Sequence, residues 1–197
     1  MNIEKAGRAL LDLDEATQQV MKPFASSKAV AALHPVSKLA DQPQLRLLSG
    51  ALVLAGLFTR DRKLTNAGCR IIMAHEAATF GKELVKTNID RTRPRSATSK
   101  DEKKPRKGKS EAKELSSFPS GHSAGAIAVA RAFSREYPQY AAAALGGAGL
   151  LALLQIARCA HYPTDVAAGL ALGLTAEKAT DLAWNAAGAD GSEEQKA

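Results

Sequence analysis

Apolar and polar positions along the chain alternate in long runs, and the spacing within most of those runs is helical. Ile3, Ala6, Leu10 and Leu13 fall on one face of a short amphipathic helix. Pro23, Pro35 and Pro43 then interrupt the pattern until Leu45, where a run broken only by Arg46, Ser49 and glycines continues to Phe58. After the charged turn "TRDRK", Asn66 offers a side-chain oxygen to cap "AGCRIIMAHEAATFGKELVK", whose period persists to Lys86. Residues 95–116 carry no apolar period and read as a mobile loop. Helical patterning resumes over Ser123–Phe133, Tyr140–Ala157 and Asp165–Trp184.

Composition sharpens this outline. Aromatic residues make up 5% of the chain, and Ala, Leu and Gly dominate its apolar fraction, a balance that favours closely packed helices over sheets. The expected fold class is therefore all-α, a compact bundle of about five or six helices. Gly121 with Gly125, and Gly169 with Gly173, have the four-residue spacing that lets helix backbones approach. At 197 residues one domain suffices, divided here into a helix and connector (1–44), the main domain (45–184) and a polar tail (185–197). Two cysteines, Cys69 and Cys159, give neither a disulfide framework nor a metal cluster.

Tyr140–Ala157 runs for 18 residues without a charge, close to the roughly 20 needed to span a bilayer. A multi-pass protein of the cell membrane is the expectation, with a cytoplasmic soluble bundle as the alternative. The opening residues, MNIEKAGRALLDLDEA, mix charge with apolar positions and do not resemble a secretory leader.

Charge then singles out one segment. The net +7 of the chain is concentrated between Lys86 and Ser116, where 11 Lys and Arg face 5 Asp and Glu. Such a stretch suits an anionic lipid surface. It has no interleaved aromatic residue on which bases could stack, so nucleic acid is not an expected partner.

Three separated stretches share one chemistry. "KTNIDRTRP" places the cations Lys86 and Arg93 at a helix end. "PSGH", Pro119 to His122, sits at a helix N-terminus, where free amides and the helix dipole attract anions. "ARCAHYPTD" puts His161 four residues before Asp165. Phosphoryl transfer needs cations and amides around the phosphoryl oxygens, an in-line nucleophile and an acid for the leaving oxygen. His161, paired with Asp165, is the candidate nucleophile, and His122 the candidate general acid. "HEAAT" at His75 is not a zinc site, because Thr79 stands where a second histidine would be required.

Lys, six residues, Arg-Pro; Pro-Ser-Gly-His; and His, three residues, Asp, in that order, resemble the three-part signature of the phosphatidic acid phosphatase type 2 and vanadium haloperoxidase superfamily. The resemblance covers about residues 45–184. It implies a helical bundle and metal-independent hydrolysis, without a cofactor, of a lipid phosphomonoester or pyrophosphate through a phosphohistidine at His161. It further implies that Lys86, Arg93, Ser120 and the Gly121 backbone hold the phosphoryl oxygens of an anionic lipid phosphate. One departure stands out: the family carries an arginine six residues before the nucleophile, and here that position is Gln155. Arg158, about one helical turn away, is the candidate replacement. Two alternatives follow from the same residues: a catalytically weakened phosphate-binding membrane module, and a vanadium-dependent haloperoxidase, whose members are much longer chains.

Overall fold

The computed structural model describes residues 3–39, 42–99, 101–110 and 112–188. Helices α1 (Ile3–Met21), α2 (Lys28–Ala32) and α3 (His34–Leu39) precede the main bundle. That bundle comprises α4 (Gln42–Thr59), α5 (Arg62–Lys86), α6 (Gly121–Glu136), α7 (Ala141–Ala157) and α8 (Pro163–Ala186). A short antiparallel pair, β1 (Ile89–Asp90) with β2 (Arg106–Lys107), lies in the connection between α5 and α6. The all-α class read from composition and spacing is the class observed.

Helix α6 is the hub, packed against α5, α7 and α8. Its inward positions are almost all alanine: Ala124, Ala128 and Ala132 meet Ile71, Ala74 and Ala78 of α5, while Ala126 and Ala130 meet Ala148 of α7. Small side chains bring the helix axes close. The glycine spacing serves the same end at α8, where a Cβ on Gly169 would overlap the Ser120 carbonyl and one on Gly173 the Ala124 carbonyl. The N-terminal turns of α6 and α8 are thereby pressed together, and the Ser120 amide donates to the Asp165 carbonyl at 3.0 Å.

Helix α5 begins at Arg62, one turn before the expected cap at Asn66. The break that ends α4 is short: Arg60 takes a positive φ of 57°, and the carboxylate of Asp61 accepts the Leu64 amide at 3.0 Å. A charged N-cap so close to Arg60 restarts the helix immediately, and Asn66 falls inside it. The described residues within 95–116 include several tied by hydrogen bonds to the first motif, which their composition did not imply. The Arg91 amide donates to Leu115 at 2.7 Å and that of Arg93 to Glu114 at 2.8 Å, while Asp90 accepts the Ser110 amide at 2.9 Å. Backbone and carboxylate bonds of this kind leave no apolar period in a sequence.

Pro138–Ala157, 20 residues of mean hydropathy 1.7, is the one helix among the described residues long and apolar enough to cross a membrane. Leu150 and Leu153 on α7 are exposed, as are Leu47, Leu54, Leu57 and Phe58 on α4. Of the expected tail, residues 189–197 lie outside the described residues.

Candidate active site

The C-terminal ends of α5 and α7 and the N-terminal ends of α6 and α8 meet at one end of the bundle. Lys86 is the last residue of α5, Gly121 and His122 open α6, His161 occupies the turn between α7 and α8, and Asp165 lies in the first turn of α8. Ser120 caps α6 through its hydroxyl, and Asp165 folds back to accept the Tyr162 amide at 2.9 Å. These ends enclose a cavity of about 380 Å³, and Lys86, Arg93, Gly121, His122 and His161 all line it.

His161 is buried. One ring nitrogen, Nδ1, donates to the Ser117 carbonyl at 2.7 Å, whereas the nearest Asp165 oxygen is 3.8 Å away. The carbonyl fixes the tautomer, since only an N–H can donate to it, and leaves Nε2 with its lone pair. The Ser117 side chain completes the link by donating to Asp165 Oδ2 at 2.6 Å. Burial, and then the charges of Arg93 and Lys86, push the imidazole down to about 4. His161 is therefore neutral at neutral pH, with the Nε2 lone pair unprotonated. Burial raises the Asp165 carboxyl, but His161, Arg91 and Ser117 outweigh it and hold the group below its ordinary range.

Lys86 donates to the Ser116 carbonyl at 2.7 Å, and burial, Arg93 and Lys82 lower its ammonium to about 8. Arg93 is anchored by the Lys113 carbonyl at 2.8 Å. Burial and the neighbouring Arg95 act against its charge. A cluster of cations that lower one another's pKa is a site prepared for an anion.

Two of the expected residues, Ser120 and Arg158, are not among those that line the cavity. The Ser120 hydroxyl lies 2.9 Å from that of Ser123 and does not line the cavity, although the adjoining Gly121 does. The Arg158 guanidinium donates to Ser37 Oγ on α3 at 2.7 Å, and the Gln155 amide donates to the same oxygen at 3.1 Å. Neither Gln155 nor Arg158 lines the cavity.

Sequence reasoning missed several residues. His75, Thr79 and Lys82 continue the cavity wall along the face of α5 that ends in Lys86, joined by Gln42 and Gln44 from α4. Their spacing of three to four residues from one another and from Lys86 was a readable signal. Ser117 had none, because its role depends on a carbonyl and a turn. Arg91, a spacer within the first motif, is buried against Asp165.

The fold and this cluster together define an all-α protein with a cationic, histidine-lined cavity where four helix ends converge. The model of the PAP2 superfamily matches residues 67–185, more than half of the chain, and the protein belongs to that superfamily. Over 57 residues it is 46% identical to a protein named lipid A 1-phosphatase from Rhizobium etli, a match covering 29% of this chain and 25% of the relative. A lipid A 1-phosphatase of Rhizobium johnstonii is equally similar over the same length, with 23% of that relative covered. The matched segment thus spans about a quarter of the length of these curated relatives. The crystal structure of Aquifex aeolicus LpxE shares the fold, with a TM-score of 0.53 at 18% identity over 81% of this chain and 90% of that one.

Proposed function

We propose that the protein is a phosphoric ester hydrolase acting on a lipid phosphate, and that His161 is its nucleophile. The observation that carries this reading is the neutral, tautomer-fixed His161 opposite Lys86, Arg93 and His122 in one cavity. Nε2 attacks phosphorus in line, the ester P–O bond breaks, and His122 gives its proton to the departing alkoxide oxygen. Water then attacks the phosphohistidine, passes a proton to His122 and releases phosphate, which restores both imidazoles. Lys86, Arg93 and the amides at the start of α6 compensate the charge on the phosphoryl oxygens. Apart from the attacking water, each role in this sequence is assigned to a side chain or an amide, and no step calls on a metal or cofactor.

The names of the relatives and the form of the bundle favour a lipid substrate at a membrane. Helix α7 ends at Ala157, four residues before the nucleophile, which sets the cavity where a spanning helix would meet the headgroup layer. The exposed leucines of α4 and α7 would face lipid. Multi-pass insertion would need a second helix to cross beside Pro138–Ala157, and α4, with its exposed leucines, is the one we assign to it. Beyond the phosphoryl centre the cavity wall is hydrogen-bonding, with Lys82, Thr79, His75 and two glutamines, so a polar headgroup rather than an acyl chain would occupy it.

The test is phosphate release from lipid phosphomonoesters and lipid pyrophosphates in detergent micelles, with a chelator present. Turnover that survives chelation and disappears in His161→Ala supports the reading. Phosphate binding without turnover would favour the binding-module alternative, for which Gln155 and the diverted Arg158 are the motivating observations.

A further inference from the structure

We propose that Asp14, on α1 and outside the region matched by the family model, is a positioning residue for the His161–Asp165 pair and acts through Arg91. The proposal rests on the phosphotransfer reading of His161 given above. Arg91 is buried between two carboxylates that are themselves buried. Its Nη2 donates to Asp14 Oδ2 at 2.6 Å and its Nη1 to Asp165 Oδ1, with a further bond to Thr164 Oγ1 at 2.7 Å. Nε donates to the Lys103 carbonyl at 2.7 Å, and the guanidinium lies 4.1 Å over the Tyr162 ring. Asp14 also accepts the Thr164 amide at 3.1 Å and the Thr164 hydroxyl, which ties α1 to the first turn of α8.

Charge explains why two carboxylates share one cation here. Asp14, Arg91 and Asp165 together carry one negative charge, and His161 beside them is neutral before reaction. Transfer of a phosphoryl group to Nε2 makes the imidazole ring positive, and the surplus negative charge compensates it in a water-excluded setting. Without Asp14, Arg91 would neutralise Asp165 completely and draw it further toward itself. His161 would then develop its charge uncompensated, with Arg93 and Lys86 already opposing it. Asp14 does not line the cavity that Lys86, Arg93 and His122 share, and its effect passes through Arg91 and Asp165.

The experiment is a double-mutant cycle on the full chain with Asp14→Asn, Arg91→Gln and the pair together, assayed on a lipid phosphomonoester, with thermal unfolding measured in parallel. Asp14→Asn is expected to lower kcat by about 10- to 100-fold with little change in KM, within the coupling range of residues sharing one hydrogen-bond network. The double variant should be less impaired than the product of the two single effects, because removing the cation removes the need for its counter-charge. Glu15→Gln, which breaks the neighbouring α1 ion pair with Lys103, controls for docking of α1 and should leave kcat near wild type. A kcat unchanged in Asp14→Asn, or losses that multiply in the double variant, or an equal loss in Glu15→Gln, would overturn the proposal.

A second readout needs no turnover. Nitrogen-15 chemical shifts of the His161 ring, followed across pH, should show the imidazole harder to protonate in Asp14→Asn than in the parent. The ring is faced by Asp165 from α8, Lys86 from α5, Arg93 from the first motif, His122 from α6, and Cys159 and Tyr162 from its own turn, and these are common to both proteins. If the parent protein hydrolyses nothing, the hydrolase reading fails on its own, and an unaltered ring titration would then reject the role of Asp14 separately.

Discussion

Replacing Lys86 with arginine separates the electrostatics of the phosphate cradle from the acid–base chemistry of the histidines. Burial, with Arg93 and Lys82 nearby, brings the Lys86 ammonium down to about 8 from an ordinary 10.5. The difference corresponds to about 3 kcal/mol of destabilisation of the charged form in the empty site, at about 1.36 kcal/mol per pH unit. At pH 7 the group is about nine-tenths protonated, and at pH 9 about one-tenth, by the ordinary titration relation. An aryl phosphate, whose leaving group needs no proton, removes the contribution of His122 from the alkaline side of the profile. With that substrate kcat/KM should fall about 15-fold between pH 8 and pH 9.5. Bound phosphate stabilises the ammonium, so the limb in kcat should lie higher than the limb in kcat/KM. Lys86→Arg supplies a cation that does not titrate in this range, and its kcat/KM should remain level to beyond pH 10 even if its absolute value is lower. An alkaline limb that stays near pH 8 in Lys86→Arg would refute the assignment.

Three other outcomes follow. His122→Ala should slow alkyl and lipid phosphates far more than activated aryl phosphates, since only the former require protonation of the leaving oxygen; equal losses would remove His122 from the acid role. Ser117→Ala deletes the 2.6 Å bond to Asp165, and should cost about 1.5–3 kcal/mol of stability as a bond to a charged group, read by denaturant unfolding. Because the folded state holds His161 down to about 4, the unfolded chain takes up a proton that the folded chain refuses between that value and 6.5. Stability should accordingly be full above pH 6.5 and decline by about 3 kcal/mol as pH falls toward 4, and this slope should be absent in His161→Gln.

Much of this site was legible because its parts are local. Lys86, Gly121 and His122 sit at helix ends, where capping and anion attraction act over a few residues, and the motif order names them. The convergence of those ends was also foreshadowed, since the paired glycines of α6 and α8 signal backbone contact, and contact between those helices brings Asp165 to Ser120. What escaped is non-local or belongs to the backbone. His161 donates its Nδ1 hydrogen bond to the Ser117 carbonyl rather than to Asp165, and no side-chain pattern reports a carbonyl. Asp14 lies on a helix read as merely amphipathic, yet it reaches Arg91 across 77 residues of chain. Arg158 reaches the same Ser37 oxygen as Gln155, although α7 ends at Ala157, so nearness along the helix did place the two side chains together, but beside α3 and outside the residues that line the cavity.

The central claim is that phosphate passes through His161, and the phosphoenzyme itself tests it most directly. Substrate carrying a labelled phosphoryl group would be quenched with the protein within milliseconds, in chelator, and the chain isolated under denaturing conditions. The account expects label bound to the protein, stable in alkali and lost in acid as a phosphohistidine is, mapped to His161 and absent in His161→Ala. Full turnover in the parent with no such label, or label that persists in His161→Ala, would contradict it.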